Sequence, residues 1–233
     1  MREGNSPYGH GSIPRVRKAL QIVSRCAGRV ERIVDLGCSN GDITLMFKEE
    51  LGAREVYGVD FNEQMVQLAG QRGIEAYCLD LNEDIFPFPD GFVDIAFSLE
   101  VIEHLINPDN MLKEAHRVLR RGGYLLISTP NLSSWVNRVL FLLGYQPYNV
   151  EVSTETIVGV AYKKGIFGGH AGHIRAFTLR ALKELLKHHG FRVVKAFGAP
   201  GVNPKNCFFR LLDRLFSLRA SLARRLIILA VKS

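Results

Sequence analysis

Short apolar runs and segments of helical period alternate along most of the chain, and that alternation predicts its architecture. Runs at Arg32–Leu36, Glu55–Val59, Ile74–Cys78 and Phe92–Ser98 have strand length. The last is apolar at nearly every position, as a strand covered on both faces must be. Between the runs, Asp42–Leu51 and Glu63–Arg72 read as helices; Asn62 caps the second, and its Met65, Val66 and Leu68 are expected to turn inward. FPFPDG at 86–91 cannot continue a helix and bends the chain into the fourth strand. Asn107-Pro108-Asp109 opens a helix over Asn110–Leu119, Arg121-Gly122-Gly123 closes it, and a strand follows at Tyr124–Ser128. This order predicts an α/β fold with a parallel sheet and crossover helices.

Both flanks add amphipathic segments. Pro14–Arg29 sets Val16, Ala19, Leu20, Ile22 and Val23 against Arg15, Arg17, Lys18 and Arg25, a helix expected to lean on the sheet. With the glycine-bearing residues before it, it makes an N-terminal flap and helix (1–30) ahead of a main domain at 31–233. Residues 130–172 break the alternation with WVNRVLFLLGYQPYNV and a stretch ending GGHAGHIR; a connection of that length is expected to be a lid. Thr178–His189 is an amphipathic helix stopped by Gly190, and Phe191–Phe197 and Leu226–Val231 read as strands. Phe208–Leu226 places Phe208, Leu211, Leu212, Leu215, Leu218, Leu222 and Leu226 on one helical face, with Arg210, Arg214, Ser217, Ser221, Arg224 and Arg225 opposite. Such a stripe belongs against the sheet or a second subunit, or, with its arginine flanks, on a membrane surface.

The chemistry concentrates at IVDLGCSNGDIT, residues 33–44, which reads as strand, tight turn and helix start. Gly37 and Gly41 let the backbone turn sharply and approach a ligand, and Ser39 or Asn40 is the expected helix cap. The turn then offers free amides at a helix N-terminus, suited to an anionic group. The next strand ends in Asp60, where an acid grips ribose hydroxyls in nucleotide folds.

The spacing Asp35-x-Gly37-x-x-x-Gly41 differs from the G-x-G-x-x-G of dinucleotide folds and resembles the first motif of class I S-adenosylmethionine-dependent methyltransferases. Asp60 matches that family's ribose-binding acid, Asp80 the acid beside the adenine amino group, and the likeness runs over residues 33–130. The resemblance implies a Rossmann-like, doubly wound, mostly parallel seven-stranded sheet whose final strand is antiparallel. It implies S-adenosylmethionine as cofactor, held by Asp35, Gly37, Cys38, Ser39, Gly41, Asp60, Phe61, Asp80, Leu81, Ser98 and Glu100.

A sulfonium methyl is already activated, so such an enzyme needs alignment of the acceptor, exclusion of water and, for an oxygen acceptor, help with the proton. If helical, Leu99–Leu105 puts Glu100, Glu103 and His104 on one face at the mouth of the site. His104 is the expected base, and no metal is assigned. The segment resembles that of ubiquinone-biosynthesis O-methyltransferases and of small-RNA 2′-O-methyltransferases. In the latter, two Glu and a His join a distant His around a divalent ion, a part that His173 or His170 would play here. The expected activity is methyl transfer to oxygen of a small-molecule or polyprenyl or other lipid-linked acceptor. The alternatives are metal-assisted RNA 2′-O-methylation and a non-catalytic cofactor-binding regulatory protein.

Charge sharpens the partner. Net charge is +7, but residues 1–32 hold seven basic against two acidic residues and 191–233 hold nine against one. Basic ends around an acidic centre suit anionic lipid or another polyanion. Without a recognition module or an Asn/Asp-Pro-Pro-Tyr/Phe motif, nucleic acid is not the expected partner. Cys26, Cys38, Cys78 and Cys207 lie far apart, which points to a reducing cytosol, peripheral at most to the inner membrane face.

Overall fold

The computed structural model describes residues 13–161, 172–201 and 207–233. Seven strands make one sheet: β1 (Arg32–Leu36), β2 (Glu55–Asp60), β3 (Glu75–Cys78), β4 (Val93–Leu99), β5 (Leu119–Pro130), β6 (Phe191–Ala199) and β7 (Arg225–Lys232). Their order is β3-β2-β1-β4-β5-β7-β6. The first five are mutually parallel, and β7 inserts between β5 and β6, antiparallel to both. The expected doubly wound sheet with its antiparallel final strand is therefore present.

The helices are α1 (Ile13–Ser24), α2 (Asp42–Leu51), α3 (Glu63–Gln71), α4 (Pro108–Val118), α5 (Trp135–Leu142), α6 (Leu179–His188) and α7 (Cys207–Phe216). Strand alternation sends Val34, Leu36, Leu125, Ile127 and Ile228 to one face, where Met111 and Leu112 of α4 and Leu182 and Leu186 of α6 cover them. Ile33, Leu126, Ile227 and Leu229 go to the other, beneath Val16, Ala19, Leu20 and Val23 of α1 and Phe47 of α2. Asn62 caps α3 by accepting from the Gln64 and Met65 amides, and Thr178 caps α6 by accepting from that of Ala181.

Three local expectations change. Neither Ser39 nor Asn40 caps α2: Gly41 is the N-cap, at φ 82, and the Asn40 side chain turns onto Asp42. Leu68 is 40% exposed rather than inward, because the register of α3 buries Ala69 in its place. The stripe at 208–226 is split: Leu226 is buried within β7 and Leu212 and Leu222 are half-buried, but Phe208, Leu211, Leu215 and Leu218 are exposed. Its helix ends at Phe216, and the polar Asp213 and Ser217 are buried. Asp213 is what is gripped: its two oxygens accept from the Trp135 indole at 3.0 Å and the Gly201 amide at 2.7 Å. Among the described residues, no helix is long and apolar enough to cross a membrane.

Candidate functional site

The turn after β1 is built on three positive-φ residues, Gly37 (φ 93), Ser39 (φ 47) and Gly41 (φ 82). A Cβ on Gly37 would meet Val101 Cγ2 at 2.4 Å, so both the backbone and the space demand glycine. The Gly37 and Cys38 amides donate to the Val59 carbonyl, at 2.7 and 3.0 Å, and lash the turn to β2. The Ser39 amide donates to Asp60 Oδ2 at 2.8 Å, and the Asn62 amide to Asp60 Oδ1 at 3.0 Å. The acid is thus fixed at the strand end by backbone from both sides.

Beneath the turn, Asp35 is buried and accepts the Thr44 hydroxyl at 2.7 Å. Burial pushes its carboxyl up to about 7, against the Thr44 hydrogen bond and with the charge of Asp60 adding to the rise. Cys38 is buried as well, and burial, with Asp35 and Asp60 nearby, drives its thiol far upward, so it is no nucleophile. Phe61 projects from the end of β2, 78% exposed, and Asp80 beyond β3 accepts from the backbone and side-chain amides of Asn82. Of the residues expected at the cofactor, Gly37, Ser39, Gly41, Asp60, Phe61 and Asp80 gather at or beyond the carboxyl ends of β1, β2 and β3. Asp35, Cys38 and Leu81 are buried below them, and Ser98 is fully buried with its hydroxyl on the Met111 sulfur.

Glu100 differs from expectation. It lies outside any helix, at φ 61, and the turn beyond it is a single 3₁₀ turn, Ile102–His104, so Glu100 does not share a helical face with Glu103 and His104. Its Oε2 faces Arg15 Nη1 at 2.7 Å and Arg225 Nη1 at 3.2 Å, and its Oε1 accepts the Ser128 hydroxyl at 3.0 Å. Burial works against its charge, but the two arginines and the hydroxyl outweigh it and hold the carboxyl below its ordinary value. A left-handed non-glycine residue held by three partners marks a position where backbone strain is accepted for what the side chain does.

Glu103 is 2% exposed. Its Oε2 accepts the Thr129 hydroxyl at 3.0 Å, whereas its Oε1 is buried with no hydrogen-bond partner. Burial, with the charge of Glu100 adding, raises its carboxyl to about 8. The Ile174 and Arg175 amides donate to the Glu103 carbonyl at 2.8 and 2.9 Å, and this pairing carries His173 into the site. The rings of His104 and His173 lie 5.0 Å apart. His104 Nδ1 meets the Gly172 carbonyl at 3.0 Å; a carbonyl only accepts, so Nδ1 carries a proton, and in the neutral ring the lone pair is on Nε2. His173 Nδ1 is buried without a partner, and burial, then the neighbouring His104, depresses its pKa. One ligand atom each from Glu103, His104 and His173 falls within 4.8 Å of the others.

This set of one carboxylate and two imidazoles can accept a proton or hold a divalent cation. Its two buried, unpartnered atoms fit a cation, and Glu100, committed to its arginines, is not part of the set. His170 lies outside the described residues. Sequence reasoning missed Arg15, Ser128 and Arg225 as partners of Glu100 and Thr129 as that of Glu103. One signal was present: Arg15 stands four residues before Ala19, on the apolar stripe of α1 rather than its polar side.

Residues 34–127 match the family model described as a methyltransferase domain. The chain is 35% identical over 179 residues to a probable S-adenosylmethionine-dependent methyltransferase of Mycolicibacterium smegmatis, covering 76% of this chain and 58% of that protein. It thus spans little more than half the length of that relative. It is 26% identical over 197 residues to the ubiquinone/menaquinone biosynthesis C-methyltransferase of Pectobacterium atrosepticum, covering 81% and 77% of the two chains. An S-adenosylmethionine-dependent methyltransferase structure from Mesorhizobium loti shares the fold with a TM-score of 0.63 at 19% identity, over 96% of this chain and 98% of that one.

Proposed function

We propose that the chain, whose residues 34–127 match a methyltransferase domain and which is similar to S-adenosylmethionine-dependent methyltransferases, methylates the oxygen of a small or lipid-linked acceptor met at a membrane surface. When bound, the cofactor supplies a methyl group already activated on a sulfonium, which leaves the protein the tasks of grip, alignment and proton removal. Asp60 and the turn 37–41 grip the adenosine end, and Phe61 and Asp80 extend that grip beyond β2 and β3.

The observation that carries the reading is the cluster of Glu103, His104 and His173, one ligand atom of each within 4.8 Å of the others, with the Gly172 carbonyl on His104 Nδ1 and Glu103 Oε1 buried without a partner. An oxygen acceptor must lose a proton as the new O–C bond forms and the C–S bond breaks. His104 Nε2 takes that proton; the Gly172 carbonyl fixes its tautomer and Thr129 steadies Glu103 beside it. A lipid-linked acceptor is supported by the ubiquinone/menaquinone role in one relative's name, and the C-methylation in that name makes the methylated atom the decisive readout.

The test supplies methyl-labelled cofactor with phenols and enols, bare and polyprenyl-tailed, and locates the label by mass spectrometry. An O-methyl product that His104→Ala reduces supports the reading; label on carbon, or none on any acceptor, sinks it. A second reading is favoured by two buried atoms without partners, Glu103 Oε1 and His173 Nδ1: a divalent cation on Glu103, His104 and His173 that would lower the pKa of the acceptor hydroxyl. Native mass spectrometry of the purified chain before and after chelation separates the two. Bound metal lost in Glu103→Gln supports the cation; metal-free protein with full turnover excludes it.

A further inference from the structure

α7 and the turn after it bury polar side chains and leave much of their apolar stripe outside. Asp213 and Ser217, at 2% and 7% exposure, point in beside the half-buried Leu212 and Phe216, while Phe208, Leu211, Leu215 and Leu218, at 60%, 66%, 58% and 81%, point out. Core burial explains apolar stripes that face the protein; it gives no account of one that faces away from it. Nor is α7 free to roll over. Trp135 of α5 stacks on Phe216 at 5.1 Å and on Phe209 at 6.1 Å, and its indole donates to Asp213. The Asn131 side chain pins the segment after α7 by donating to the Ala220, Ser221 and Ala223 carbonyls. α5, so joined, likewise exposes Phe141, Leu142 and Leu143, at 58%, 87% and 65%.

The charge around these helices selects the occupant. Residues 131–150 contain no acidic residue, and the single acid in 207–233 is Asp213, which is buried. Arg138, Arg210, Arg214 and Arg219 are all exposed. A second copy docked on this surface would bring like charges together with no acid to answer them. A bilayer carrying anionic headgroups takes both the apolar side chains and the arginines.

We propose that the outward faces of α5 and α7 are a docking surface for anionic lipid bilayer, in which Phe208, Leu211, Leu215, Leu218, Phe141 and Leu142 enter the interface while the arginines meet headgroups. The inference rests on the lipid-linked acceptor for its purpose but not for its test, which uses neither cofactor nor acceptor. The full chain is floated with phosphatidylcholine vesicles, with and without phosphatidylglycerol, at low and high salt. Binding to the anionic vesicles is expected, with a loss of about fivefold for each of Arg210, Arg214 and Arg219 changed to Ser, and screening by salt. The combined Leu211→Ser, Leu215→Ser, Leu218→Ser variant, altered only at exposed positions, is expected to lose binding with an unchanged melting temperature. Protein that stays at the bottom with anionic vesicles at low salt overturns the proposal. So does a leucine variant that floats as well as the wild type, or a wild-type dimer in sedimentation that the leucine variant dissolves, which would make a second copy the occupant.

Discussion

Arg15 Nη1 stands 2.7 Å from Glu100 Oε2, an ion pair buried at the carboxyl edge of the sheet that ties the first turn of α1 to the residue following β4. Through it, the N-terminal helix helps set the conformation of the loop that carries Glu103 and His104.

Removing one member of a buried pair leaves the other charge uncompensated. Arg15→Met is therefore expected to lower stability by about 3 kcal/mol, the low end for such a break, because Arg225 still faces Glu100 at 3.2 Å. Adding Glu100→Gln should return part of that loss in denaturant titration; equal stability of wild type and Arg15→Met would show that Arg225 alone satisfies the carboxylate.

Asp60 holds the turn through the Ser39 amide, and the proposed function has it accept from ribose hydroxyls. Asp60→Asn is expected to weaken S-adenosylmethionine binding by about 1.5–3 kcal/mol, the worth of hydrogen bonds to a charged group. Isothermal titration calorimetry reads this directly, and unchanged affinity would remove Asp60 from the cofactor site.

Gly37→Ala meets two obstacles, a φ of 93 and Val101 Cγ2 at 2.4 Å. A loss of about 1–3 kcal/mol from backbone strain alone is expected, with a further part from the clash. In thermal melts Val101→Ala should relieve only the clash, so the double variant should lie between Gly37→Ala and the wild type.

The pH dependence of stability has a definite sign at Asp35. Its folded pKa is raised from 3.8 to about 7, chiefly by burial, so the folded chain holds this proton where the unfolded chain has released it. Its contribution to stability is fully present below the unfolded value and declines as pH rises, until it is lost above about 7. Asp35→Asn should flatten that part of the melting-temperature profile across this window, and an unaltered profile would mean that Asp35 is ionised in the fold.

The short apolar run and the glycine turn were enough to place β1 and α2 at the residue level, because a buried strand is marked by its apolar residues and a tight turn demands residues that tolerate positive φ. The same logic located Gly37, Gly41, Asp60 and Asp80 at the carboxyl ends of their strands. What the chain could not disclose by itself is direction and distance. A helical stripe declares that α7 has two faces, but only the grip of Trp135 and Gly201 on Asp213 decides which of them meets the protein. Arg15, at a stripe position that reads as core, becomes intelligible only when Glu100 and Arg225 surround it. Glu103, His104 and His173 became one site through two backbone hydrogen bonds to the Glu103 carbonyl, and backbone pairing between distant segments leaves no trace in side-chain pattern.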